Sequence, residues 1–270
     1  MTIHEISCKS ILNKSGISVI DYALNPYTGC EHGCRYCYAV FMKRFSGHKE
    51  EWGSFVDVKI NAPEVLRKQL KKAKPGLISF STVTDPYQPL EEKYEITRKC
   101  LEALVDYDFS VSILTKSHLV LRDIDLLKEL KEVDVGFSVA IMDEKIRIHF
   151  EPKSSTTEKR FEALAQLSKE GIETWLFFAP VFPYFSDSTK NIEELFINAS
   201  RTNVGSILID TLQLYPKVWS KIQKMLHRFY PEVLPHYKQY LLHKDLYKKE
   251  LKSKVLKVAR EHNIPCDFAF

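Results

Sequence analysis

The sequence predicts an α/β fold built on a parallel sheet, and two observations carry that expectation. Short apolar runs of strand length alternate with amphipathic segments of helical spacing across residues 76–210, the pattern of strands joined by crossover helices. No Pro/Gly/Ser-rich linker or low-complexity stretch divides the 270 residues, a length that α/β barrels commonly use as one domain.

The elements follow in order. Residues 76–81 read as a buried strand, and residues 95–106 as a helix with Ile96, Cys100, Leu101, Leu104 and Val105 on one face. A strand over 110–115 precedes a helix over 123–130, and a strand over 133–141 precedes a helix over 156–170. A strand over 173–179, a helix over 190–201 and a last strand over 206–210 complete the alternation. Residues 1–22 form a small strand-bearing lead-in, and at least two helices over 216–262 are expected to cap or close the sheet. Pattern alone leaves two closures open, a doubly wound open sheet or a barrel.

The composition, 44% hydrophobic and 27% charged, is that of an ordinary globular protein. No run of about 18 apolar residues suggests a membrane span. Residues 1–6 lack the basic and apolar regions of a signal peptide, so a cytoplasmic protein with reduced cysteines is expected. The net charge of +4 hides an asymmetry: residues 217–260 hold 12 Lys or Arg against three acids. With Tyr230, Tyr237, Tyr240 and Tyr247 interleaved, that section could track a polyanion or could be a solvated helix face.

The chemistry concentrates in one loop. Cys30, Cys34 and Cys37 stand at x3 and x2 spacing in Asn-Pro-Tyr-Thr-Gly-Cys-Glu-His-Gly-Cys-Arg-Tyr-Cys-Tyr-Ala. A structural zinc site closes its shell with four protein ligands, and His32 could supply the fourth. Three thiolates on a four-iron cluster would instead leave one iron open to a small molecule. Cys8, Cys100 and Cys266 lie outside the loop, and Cys100 falls on an apolar helical face as a buried structural thiol. A second polar concentration, Ser81-Thr82-Val83-Thr84-Asp85-Pro86-Tyr87-Gln88-Pro89, ends the first buried strand. Its prolines fix the backbone, and Thr84 and Asp85 would either line a site or cap the next helix.

The cysteine loop resembles the cluster-binding signature of the radical S-adenosylmethionine (SAM) superfamily, with Tyr36 as the aromatic before the third cysteine. Thr84-Asp85-Pro86-Tyr87-Gln88-Pro89, Thr97-Arg98, Thr115-Lys116-Ser117 and Leu121-Arg122-Asp123 resemble the spore photoproduct lyase-like branch, over roughly residues 20–185. The resemblance implies a partial (β/α)6 barrel, with a lead-in at 1–22, a core at 23–215 and a helical section at 216–270. The cluster loop would follow the first barrel strand and face the carboxyl-terminal mouth. It also implies a [4Fe-4S] cluster on Cys30, Cys34 and Cys37, with SAM on the open iron and SAM contacts from Tyr36, Tyr38, Lys116 and Ser138. Pro180 would shape the adenine side of the pocket or simply end its strand. A flavodoxin- or ferredoxin-type reductant is the implied partner, with nucleic acid as a candidate substrate. One departure stands out. Spore photoproduct lyase carries a further hydrogen-donating cysteine near the end of its second strand, and residues 80–85 here contain none. Tyr87, Tyr94 and Cys266 are the candidate relays that remain.

Overall fold

The computed structural model describes residues 1–270 throughout. Eleven strands sort into two sheets. The larger contains β2 (Leu12–Lys14), β3 (Tyr22–Leu24), β6 (Leu77–Phe80), β7 (Ser110–Thr115), β8 (Glu132–Ser138), β9 (Glu173–Val181), β10 (Ser206–Thr211) and β11 (Cys266–Phe268). Their spatial order is β11-β10-β9-β8-β7-β6-β3-β2. From β3 to β11 all neighbours are parallel, while β2 pairs antiparallel with β3 at the edge. Six successive parallel strands, β3 and β6 to β10, are the partial barrel that the resemblance implied. The sheet stays open, with β2 at one edge and β11 at the other.

The five strands expected from 76 onward all form, within a few residues of the expected bounds. The helix over 156–170 appears as Thr157–Lys169, and that over 190–201 as Thr189–Ser200. Both open on hydroxyl caps: Thr156 accepts from the Lys159 amide, and Ser188 from the Asn191 amide. The segment over 123–130 is shorter than expected, a 3-10 turn His118–Asp123 running into one helical turn Ile124–Leu127. Helices Ala62–Leu70 and Glu144–Phe150 and the strand β11 add to the expected set.

The smaller sheet is β1 (Thr2–Ile6), β5 (Phe55–Lys59) and β4 (Tyr27–Gly29), in the order β1-β5-β4. It backs the cysteine loop, because β4 leads directly into Cys30. Phe55 and Val56 of β5 are fully buried, each such side chain contributing roughly 1.5–3 kcal/mol. The backbone here needs glycine. Gly29 has φ +88°, and a Cβ on it would lie 2.5 Å from the Phe55 carbonyl oxygen. Gly53, at φ +98°, passes so near the loop that its Cβ would meet the Gly33 Cα at 2.6 Å.

Two apolar clusters fill the interior. The larger lies between the main sheet and its helices. The smaller covers the carboxyl-terminal ends of the strands, joining Cys30, Ala39, Val40, Trp52 and Phe55 to Phe182 and to Val218, Ile222, Met225 and Leu226 of helix Pro216–Phe229. That helix closes the mouth. Helix Lys244–His262 instead packs on helix Thr189–Ser200, on the outer wall.

Candidate cluster and cofactor site

The cysteine loop follows β3 by way of the short strand β4, beyond the carboxyl-terminal end of the main sheet, and is fastened from below. The Thr84 hydroxyl donates to the Gly29 carbonyl at 2.5 Å, and Gln88 Oε1 accepts from the Glu31 amide at 2.7 Å. Asn25 Oδ1 accepts from the Val83 amide at 3.0 Å. Thr84 and Gln88 of the polar stretch after β6 thus hold the cluster loop, a role neither a helix cap nor a ligand contact anticipated. Deeper still, Glu91 accepts from the Tyr27 hydroxyl, the Thr97 amide at 2.9 Å and Arg122 Nη2 at 2.7 Å. Arg98 and Arg122 both pair with buried Asp123. The Thr97-Arg98 and Arg122-Asp123 pairs therefore serve as scaffolding beneath the loop.

Cys30 and Cys34 are buried, Cys37 is half-buried, and all three thiols are free. Turn bonds curl the loop: the Gly33 amide donates to the Cys30 carbonyl at 3.3 Å, and the Cys37 amide to the Cys34 carbonyl at 3.2 Å. Burial pushes the Cys34 thiol up to about 12 despite the pull of nearby Lys116. Burial, with Asp85, Cys34 and Cys37 within electrostatic reach, lifts Cys30 well above its ordinary value. Three protonated thiols in a dry pocket become good ligands when metal replaces their protons.

The two metal readings ask for different donor sets. Four ligands on one zinc, with sulfur at about 2.3 Å, would bring the sulfurs to roughly 3.8 Å of one another. The one group of three His, Cys, Asp or Glu ligand atoms lying within 4.8 Å of one another is His4, His48 and Asp57, away from the loop. The His32 Nδ1 lies 3.3 Å from Asp85 Oδ2. Three free thiols on one short loop suit an iron–sulfur cluster that keeps one iron open.

Lys116 stands immediately after β7, half-buried beside the thiols. Asp85 positions its backbone, accepting from the Lys116 amide at 2.9 Å and the Thr115 hydroxyl at 2.7 Å. Burial would raise the Asp85 carboxyl, but His32, Lys116 and the Thr115 hydroxyl outweigh it and hold it at about 2. Burial alone would lower Lys116; Cys34, Glu151 and Asp85 prevail and keep the ammonium above its ordinary value. The Lys116 Nζ lies 5.9 Å from the centre of the Tyr36 ring.

Tyr36 and Ser138 meet through a buried ion network that sequence reasoning missed. The Tyr36 hydroxyl and Arg160 Nη2 both donate to the Glu151 carboxylate. Arg160 Nη1 donates to the Ser138 carbonyl at 2.7 Å, and Arg147 Nη1 to the Glu151 carbonyl at 2.6 Å. Burial would raise Glu151, yet Arg160, Lys116 and the Tyr36 hydroxyl hold it down at about 2. A signal for this network was present. Arg160 falls on the apolar stripe of its helix with Phe161, Leu164 and Leu167, where a charge needs a buried partner. Tyr38 is not brought into this group. The residue is 51% exposed, its ring stacks 6.4 Å from Phe41, and its hydroxyl donates to the Thr82 carbonyl. Ser81, closing β6, sits at φ +66° with a buried hydroxyl that has no partner, a strained position at the mouth.

The candidate relays lie elsewhere. Tyr87 is fully buried in the main core, the Tyr94 hydroxyl donates to Glu5 at 3.1 Å, and Cys266 is on the edge strand β11. Pro180 is within β9. Around the loop gathers a basic rim. Lys221 lies close enough to Lys43 and to Arg35 for the like charges to repel, as does Arg35 to Arg228. By contrast the lysines at 248–254 sit on the outer wall, Lys248 and Lys252 over the Phe270 and Phe268 rings at 5.8 and 5.0 Å.

The chain is similar to several known proteins. The profile of the radical SAM superfamily matches residues 24–196. An uncharacterized protein of Methanocaldococcus jannaschii is 37% identical over 185 residues, 68% of this chain and 70% of its own length. Spore photoproduct lyase of Clostridium acetobutylicum is 24% identical over 67% of this chain and 52% of its own. A solved structure of spore photoproduct lyase complexed with dinucleoside spore photoproduct superposes with a TM-score of 0.73, at 17% identity, over all of this chain and 82% of that one. No helix is long and apolar enough to cross a membrane. The chain belongs to the radical SAM superfamily, enzymes whose cofactors are a [4Fe-4S] cluster and SAM.

Proposed function

We propose that Cys30, Cys34 and Cys37 each hold one iron of a [4Fe-4S] cluster and that Lys116, Tyr36 and Ser138 seat SAM at the fourth, with Tyr38 over the outer edge. When bound and reduced, the cluster would supply the electron that splits SAM into methionine and a 5′-deoxyadenosyl radical, which takes hydrogen from the substrate. The observation carrying this reading is the meeting of three free thiols and one lysine at the carboxyl-terminal mouth.

The chain's own residues have distinct tasks. Lys116 offers a charge-assisted contact to the SAM carboxylate, and Asp85 fixes the strand end that carries it. Glu151 and Arg160 orient Tyr36 and the Ser138 backbone. Helix Pro216–Phe229 covers the loop and keeps water from the thiols. A core at 23–215 carries the site, with 1–22 and 216–270 packed onto it.

The substrate we infer is a nucleic acid or a modified nucleotide. The rim of Arg35, Lys43, Lys221 and Arg228 beside exposed Tyr38, Phe41 and Phe45 suits a charged backbone with stackable bases. Spore photoproduct lyase, named among the relatives, points the same way. No thiol besides the loop cysteines lies near the mouth, so hydrogen return to a product radical would follow a different route here. A flavodoxin- or ferredoxin-type protein would supply electrons, in the cytoplasm.

Anaerobic reconstitution tests the ligand set. The wild-type protein should take up about four irons and turn brown. Cys30→Ala, Cys34→Ala and Cys37→Ala should each abolish uptake, while Cys8→Ala, Cys100→Ala and Cys266→Ala retain it. Full iron in Cys34→Ala would sink the assignment.

A further inference from the structure

A second cluster of ligating side chains lies on the smaller sheet, outside the site described above. In the parallel β1–β5 pairing His4 is the register partner of Asp57, so the two side chains share one face. His48 joins them from the preceding loop, its ring stacked at 3.8 Å on Phe55, which lies two residues before Asp57 on the same strand. His48 Nε2 is 2.9 Å and His4 Nδ1 3.4 Å from the same atom, Asp57 Oδ1. Asp57 is buried, His48 nearly so, and His4 is half exposed.

The placement of the ligand atoms is the informative part: one nitrogen or oxygen from each of the three residues lies within 4.8 Å of the others. His48 also presents its Nδ1 to Glu50 Oε2 at 3.2 Å, so one imidazole faces carboxylates at both nitrogens. A neutral imidazole carries a single N–H. A metal ion on Nε2 would leave the Nδ1–H free to donate to Glu50, while Asp57 and His4 complete the same ion. The spacing suits such an ion. Zinc bonds to imidazole nitrogen and carboxylate oxygen at about 2.0–2.2 Å, so tetrahedral neighbours sit roughly 3.3 Å apart. The observed 2.9 and 3.4 Å bracket that separation. Glu50 behind His48 is the outer carboxylate that commonly orients a ligating histidine.

We propose that His4, His48 and Asp57 bind a zinc ion that clamps β1 to β5. The exposed side of His4 gives the ion its path in and leaves a fourth position for water. β5 pairs with β4 through Asp57 and Thr28, and β4 ends one residue before Cys30. The clamp therefore stiffens the sheet from which the cysteine loop springs.

The test uses cluster-reconstituted protein, so that the loop cysteines are occupied, washed with chelator and titrated with zinc sulfate. Wild type should bind one zinc and show a zinc-dependent rise in melting temperature that EDTA reverses. His4→Ala removes an exposed ligand from an edge strand without disturbing the core. It should weaken zinc binding by about tenfold or more and lose the thermal shift, while its zinc-free melting temperature matches that of wild type. His118→Ala, an exposed histidine elsewhere, should behave as wild type. Absence of zinc binding by wild type, or equal binding by wild type and His4→Ala, would overturn the proposal.

Discussion

Helices Pro216–Phe229 and Lys244–His262 bury residues at the same spacing, one apolar side chain at i, i+4, i+7 and i+8. In the first these are Val218, Ile222, Met225 and Leu226; in the second, Leu251, Val255, Val258 and Ala259. Both expose basic residues, and in sequence they read as one lysine-rich section. Their partners differ. The first stripe lies over Cys30, Val40, Trp52 and Phe55 at the mouth, and the second over the main core behind helix Thr189–Ser200. Position on the barrel, and not charge density, decides which basic face can meet a substrate. The wall lysines are partly occupied besides, Lys254 donating to the Asp187 carbonyl at 2.7 Å.

The mouth should be far more sensitive to substitution than the wall, and Glu151 gives the largest expected effect on stability. Its carboxyl is held at about 2 against an ordinary 4.5. A depressed carboxylate stabilises the fold above its unfolded value, and that contribution drains away as pH falls from 4.5 towards 2. Glu151→Gln leaves Arg160 buried without its counter-charge and should cost on the order of 3 kcal/mol at neutral pH. Denaturant melts should show the loss at pH 7 and a smaller wild-type–variant difference near pH 3. Equal stability at both pH values would remove Glu151 from the account.

Much of the architecture was legible in sequence, for identifiable reasons. Strands β6, β9 and β10 are largely apolar runs and β7 and β8 carry apolar residues at alternate positions, and their amphipathic crossovers give the strand–helix alternation. The cysteine spacing marked the loop. Of the smaller sheet only the strand-bearing lead-in that holds β1 was legible; β5 and the three-residue β4 were silent, because these strands find one another only across the fold. The split of the basic section was equally silent, since two stripes of identical spacing do not say which surface each will meet. Glu151 left no local mark at all, and only Arg160 on an apolar stripe pointed towards it.

Lys116→Ala sharpens the comparison at an intermediate scale. Losing a charged contact in a partly buried site should weaken SAM binding by about tenfold or more, roughly 1.5–3 kcal/mol, with iron content intact. Unaltered SAM affinity would make it a structural lysine.

The smallest effect concerns charge alone. Neutralising Lys43 and Arg228 on the rim should weaken binding of a single-stranded oligonucleotide and flatten its salt dependence by about 0.7 per lost phosphate contact. Neutralising Lys248, Lys249, Lys252 and Lys254 on the wall, twice as many charges, should change little. The reverse ranking in a titration at two salt concentrations would mean that the wall, and not the mouth, meets nucleic acid.

The most direct measurement of the central claim is SAM turnover by the reconstituted protein under dithionite, read as 5′-deoxyadenosine. Wild type should form 5′-deoxyadenosine and methionine in equal amounts, Cys34→Ala should form neither, and the wall variant should match wild type. A fully iron-loaded wild-type protein that binds SAM yet yields no 5′-deoxyadenosine, with or without oligonucleotide, would contradict the account.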